Sequence, residues 1–147
     1  MLRFILFFWL LILLPAMSDC AESFNPIPSI PRIRILISEG KSSATINGTG
    51  LIVGNLKGQK LFQTSQSAHF QAQGKYLVIN QKRLGTSLVY IRSMDGRTQF
   101  DGTDYPGRLI VSVDAENDLS IVNEVQVEEY LKSVIGLEMG KDAPSES

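Results

Sequence analysis

Glu138 is the residue whose type and placement could do chemistry. Val127, Leu131, Val134 and Ile135 recur at helical spacing, with Glu128, Glu129 and Lys132 on the other side. Glu138 follows Val127 by eleven residues, which is three helical turns plus about 20°. If the helix runs past Gly136, Glu138 projects from the apolar stripe; if Gly136 ends it, Glu138 stands just beyond the cap. Either way a carboxylate follows the apolar stripe and not the solvated side. A carboxyl group in apolar surroundings holds its proton to higher pH, which suits a general acid. The plain alternative is a glutamate that simply reaches water, and periodicity alone favours that alternative.

No other constellation competes. His69 lies between Ala68 and Phe70 on an expected strand and reads as an ordinary histidine. Cys20 is the sole cysteine, so no internal disulfide can form. One Cys and one His cannot build a zinc site, and no metal or cofactor is expected. Gly48, Gly50 and Gly54 lack the Gly-Lys-Ser/Thr and the following helix of a phosphate loop. Asn47-Gly48-Thr49 fits a glycosylation sequon but reads as a turn.

The elements that must position Glu138 follow from the rest of the chain. It has 147 residues and formal net charge −1. That is one modest domain, and the balanced charge argues against nucleic acid as a partner. Residues 1–18 have the layout of a signal peptide: Arg3, the apolar run Phe4–Leu14, Pro15, then small residues at Ala16 and Ser18. The run is short for a membrane span, which needs about 20 apolar residues. An uncleaved anchor and a lipidated Cys20 are the minor readings. The expected location is therefore exported and extracytoplasmic, in periplasm or cell wall, with membrane contact only through an uncleaved signal. Residues 19–31, with Pro26, Pro28 and Pro31, read as an extended linker.

The domain is expected over 32–147. Arg32–Ser38 alternates as a first strand, and Ala44–Ile46, Leu51–Val53, Leu61–Thr64, His69–Ala72, Tyr76–Asn80 and Leu88–Arg92 are strand-length segments. With Asn47-Gly48 and Asp95-Gly96 as tight-turn dipeptides, they suggest a region of hairpins. Gly107–Val113 and Leu119–Asn123 form a hairpin around the polar turn Asp114–Asp118, and the helix follows. The expected class is α+β: a β-rich hairpin region, then a strand–strand–helix unit.

The stretch Asp104–Pro144 resembles the stage II sporulation protein D / amidase-enhancer LytB (SpoIID/LytB) family. The resemblance rests on Tyr105-Pro106-Gly107, Val122-Asn123-Glu124, Glu128-Glu129-Tyr130-Leu131, Val134-Ile135 and Glu138-Met139, all in the family's register. Pro106 occupies the middle of the Tyr-x-Gly element, and Ala143 stands where a tryptophan commonly precedes the proline. The chain stops at Ser147, where the family's next helix begins. The resemblance thus implies the front part of the domain, C-terminally truncated and weakly active or inactive. It implies a lytic transglycosylase acting on peptidoglycan glycan strands, with Glu138 as the catalytic residue. One carboxyl group suffices for that reaction. Protonated, it donates to the leaving glycosidic oxygen; ionised, it takes the proton of the sugar's own 6-hydroxyl, which closes an anhydro ring. The amidase-enhancer branch implies a second reading, a non-catalytic module that binds peptidoglycan or a cell-wall amidase.

Overall fold

The structure, a computed structural model, describes residues 29–139. The signal peptide, Cys20, most of the linker and Pro144–Ser147 lie outside the described residues.

Alternation dictates the layers. In β2 (Ser43–Asn47), Ala44 and Ile46 are buried while their neighbours are exposed. The same period-two pattern runs through β3 (Leu51–Gly54), β5 (Ser67–Gln73), β6 (Tyr76–Ile79), β8 (Leu88–Arg92) and β9 (Arg97–Phe100). Each strand therefore has one face for a core and one for solvent. The remaining strands are β1 (Arg32–Lys41), β4 (Lys60–Thr64), β7 (Lys82–Arg83), β10 (Thr103–Pro106), β11 (Arg108–Val113) and β12 (Leu119–Gln126). They assemble into two antiparallel six-stranded sheets, β1-β12-β11-β8-β3-β4 and β10-β9-β2-β5-β6-β7.

The core lies between the sheets. Leu51, Val53, Val89, Ile91, Leu109, Val111, Leu119 and Ile121 come from the first, and Ile46, Phe70, Leu77, Ile79 and Phe100 from the second. Burying such apolar faces against each other is the main favourable term in folding.

This corrects the expected α+β class. Among the described residues there is one helix, α1 (Val127–Met139), and it touches the body chiefly at β12. In an α+β fold helices cover a sheet face. Here the sheets cover each other, so the class is all-β with one appended helix. The hairpin expectation also needs correction. The chain crosses between sheets at Asn47-Gly48, from β2 to β3, and at Asp95-Gly96, from β8 to β9. At the second crossing the Gly96 N–H donates to the Ser93 carbonyl (3.3 Å), with Gly96 at φ +77°. The Ser93 hydroxyl and the Arg97 N–H bind the Asp95 carboxylate and hold its pKa below the ordinary value. True hairpins join β3–β4, β5–β6, β6–β7, β9–β10 and β11–β12.

The β11–β12 hairpin closes as expected. The Asp114 carboxylate accepts from the N–H groups of Glu116 (3.0 Å) and Asp118 (2.9 Å), satisfying turn donors that strands cannot reach. β12 then pairs with β1, joining the last strand to the first, with Arg34 opposite Glu124 and Arg32 opposite Gln126.

The helix starts without a loop. The Val127 N–H donates to the Pro31 carbonyl (3.0 Å), so the strand entering β1 caps the first turn of α1. Glu128 and Glu129 sit in that turn, where the helix dipole favours negative charge. The helix runs through Gly136 to Met139, which settles the choice left open by the sequence. Gly136 is exposed, and a Cβ there would meet nothing within 4 Å. Gly136→Ala is therefore expected to stabilise α1 by about 0.5–1 kcal/mol, because alanine loses less backbone entropy. Thermal melts followed at 222 nm check it; an unchanged or lowered midpoint would mean that position 136 is not an open helical site.

Candidate functional site

The site is built on β12 and its continuation into α1. Position 124 belongs to the solvent-side face of the first sheet, because Ile121, Asn123 and Val125 take the opposite parity. Register places Arg34 of β1 on one side of Glu124 and Arg108 of β11 on the other. The Arg34 Nε donates to Glu124 Oε1 (2.9 Å), Arg108 Nε donates to Oε2, and Arg32 Nη1 lies 3.7 Å from Oε2. These side chains cover the carboxylate so well that it is only 5% exposed on an outer face. The Arg108 guanidinium also stacks 4.1 Å over the Tyr90 ring.

Burial pushes the Glu124 carboxyl upward in pKa, but the hydrogen bonds and charges of Arg108 and Arg34 outweigh it and leave it below its ordinary value. In return, the hydrogen bond and charge of Glu124 raise Arg34. Glu124 is thus ionised with both oxygens engaged. It pins three strands and is not available as a proton donor.

Gly107 brings the start of β11 against β12. Its φ is +84°, and a Cβ would stand 2.5 Å from the Glu124 carbonyl oxygen and 3.2 Å from the Val125 Cα. Both are backbone atoms, so only glycine fits here. This explains the glycine of Tyr105-Pro106-Gly107. On the core side, Asn123 is buried and its Oδ1 has no hydrogen-bond partner among the described residues.

From this anchor α1 carries position 138 to its last turn, about 16 Å along the axis from Val127. The backbone puts position 138 on the same arc as Val127, Leu131, Val134 and Ile135. That arc is open to solvent: Leu131 is 48% and Ile135 50% exposed. The side chains of Leu137, Glu138 and Met139 lie outside the described set. Glu128 and Glu129 are exposed and, with Arg97, Pro106 and Lys132, border a groove of about 490 Å³ beside the first half of the helix.

His69 is an exposed residue of β5. Its Nδ1 shares a 2.9 Å hydrogen bond with Thr45 Oγ1, and its N–H donates to Asn80 Oδ1 (2.8 Å). It approaches no carboxylate of β12 or α1 in the sheet order. No group of three or more His, Cys, Asp or Glu side chains gathers as a metal cage among the described residues.

The arginine cluster is what reading the sequence missed. Its signal was present in Arg32-Ile33-Arg34, two cations of one parity on a strand. Their acid could not be named without the register, because Glu124 lies ninety residues from Arg34.

Comparisons with known proteins add little. No family model matches the chain. No solved structure matches it. The chain is similar to an uncharacterized protein of Chlamydia muridarum (strain MoPn / Nigg), with 28% identity over 125 residues that cover 82% of this chain. The chain spans less than half of that relative, 44% of its length.

Proposed function

We propose that this chain is an exported cell-wall protein that acts on peptidoglycan glycan strands as a lytic transglycosylase of the SpoIID/LytB type. Glu138 is its single acid–base residue. The observation that supports this best is the unbroken passage of β12 into α1, which keeps position 138 on the apolar arc of a continuous helix. The division of labour between the two motif glutamates supports it as well. Glu124 is saturated by arginines and fixes the mount. That leaves proton transfer to the residue at the helix end.

In this reading the protonated Glu138 carboxyl gives its proton to the glycosidic oxygen as the bond to the anomeric carbon breaks. The carboxylate then accepts the 6-hydroxyl proton as that oxygen closes the anhydro ring. The glutamate ends as it began, protonated, and no water is consumed. Leu131 and Ile135 on the same arc are half exposed, and a surface that covered them would exclude water from the arc and raise activity. The test is incubation of the purified chain with peptide-free glycan strands, with mass spectrometry of the ends. Anhydro-sugar ends that depend on Glu138 are the expected result; ends that persist in Glu138→Gln would overturn the assignment.

The same open arc favours one second reading, a non-catalytic module whose helix docks on a cell-wall amidase. A Leu131→Ser, Ile135→Ser pair that abolishes amidase stimulation, in a chain that never cleaves glycan, would select it.

A further inference from the structure

The solvent face of the first sheet holds a depression of about 370 Å³, away from the α1 groove, lined by Gly54, Leu56, Lys60, Tyr90, Arg92 and Arg108 among others. Its floor exists because of one residue. Register sets Lys60, Gly54, Tyr90 and Ile110 in a row across β4, β3, β8 and β11. Gly54 has no side chain, so a gap opens between the lysine and the tyrosine. A Cβ there would reach 3.1 Å from the Gln59 carbonyl oxygen and begin to fill it. The wall is the β3–β4 turn. Asn55 stiffens that turn by accepting the N–H groups of Lys57 and Gln59, both at 3.0 Å.

The charge is one-sided. Lys60, Arg92 and Arg108 line the depression, and no carboxylate does. Arg32 and Arg34 extend the cationic surface along the same sheet, and the Glu124 carboxylate beneath them is already enclosed. This surplus sits on a chain whose formal net charge is −1. Arg108 is spent on Glu124 and Tyr90. Arg92 makes no ion pair or side-chain hydrogen bond among the described residues, and Lys60 binds only the neutral Gln63. Two cations are thus available beside the apolar surface of Ile52, Leu56 and the tyrosine.

We infer that this depression is a second, non-catalytic binding site for an acidic sugar: a pyranose ring lying along Tyr90 and Leu56 with its carboxylate held by Arg92 and Lys60. The volume falls within the ordinary range for small-molecule sites, roughly 300–1,000 Å³. Two charge-assisted hydrogen bonds give the carboxylate its selectivity, and the ring meets apolar surface. The choice of a sugar among ring-bearing anions rests on the cell-wall reading. The cationic site itself does not involve Glu138.

The matched pair N-acetylmuramic acid and N-acetylglucosamine tests it, because the acid differs by its lactyl carboxylate. Titration is followed by backbone amide NMR on the Glu138→Gln chain, so that no turnover intervenes. The expected result is saturable shifts at 54–60 and 90–92 with the acid and at least about tenfold weaker binding of the neutral sugar, with binding of the acid weakened about tenfold by either Arg92→Gln or Lys60→Gln. Both side chains are exposed, so these variants keep the fold. Equal binding of the two sugars overturns the inference, as does indifference to both substitutions. Inorganic phosphate or benzoate binding as tightly as the acid overturns the sugar assignment in favour of a simple anion patch. Glycan cleavage that fails while the acid still binds removes the transglycosylase reading and leaves this site standing. Cleavage without binding does the reverse.

Discussion

Glu124→Ala is expected to lower the unfolding free energy by about 2–3 kcal/mol at pH 7. Removing one partner of a buried ion pair costs roughly 3–5 kcal/mol, because the remaining charge is left uncompensated. Here the remaining charges are arginines that keep water on one side, at 36–62% exposure, which reduces the loss. What stays large is structural. Glu124 binds β1 through Arg34 and β11 through Arg108, and without it three cations repel one another across adjacent strands.

The pH dependence has a definite sign. The folded carboxyl lies below its ordinary value of 4.5. Its contribution is therefore fully present above the ordinary carboxylate range and is lost as pH falls through the folded value. Urea unfolding of wild type and variant should differ most at neutral pH, and the gap should narrow as the pH falls through the folded value. A gap that is absent at pH 7, or that persists undiminished in acid, would show that Glu124 does not pin the strands through its charge. Arg34→Ala alone should do less, since Arg108 and Arg32 still cover the carboxylate.

How much of this could be read in advance depended on the range of each interaction. The segments Ala44–Ile46, Leu51–Val53, Leu61–Thr64, His69–Ala72, Tyr76–Asn80 and Leu88–Arg92 were legible as strands from their length and the residues that bound them. β9 was not, because its inward positions are Thr98 and Phe100, and the buried threonine hides the alternation. The division into two sheets was also invisible. Asn47-Gly48 looks the same whether it folds a strand back on itself or passes it to the facing sheet. The distinction lies in pairings such as β2 with β9, set by contacts far apart in sequence.

The helix misled in the other direction. The spacing of Val127, Leu131, Val134 and Ile135 is that of an amphipathic helix, and it led to the expected α+β class. The arc instead stands open at Leu131 and Ile135, so periodicity marked an apolar face without saying whether the fold covers it. For the candidate site, the sequence held the position of Glu138 on that arc but not the persistence of the helix through Gly136. It held Glu124 as part of a motif but not the arginines that engage it.

Glu138→Gln is expected to lower anhydro-end formation on peptide-free glycan strands by about 10²-fold. That is the low end of the roughly 10²–10⁴ supplied by a positioned acid–base group. The substitution preserves shape and removes only the titrating proton, so melting temperature and co-sedimentation with glycan should not change. Glu138→Asp should recover only part of the rate, since a shorter side chain holds the same acid about 1 Å back, and misplacement on that scale is costly. Covering the arc should raise the wild-type rate and leave Glu138→Gln flat. A partner that accelerates both equally would place the chemistry on the partner and make α1 a docking helix.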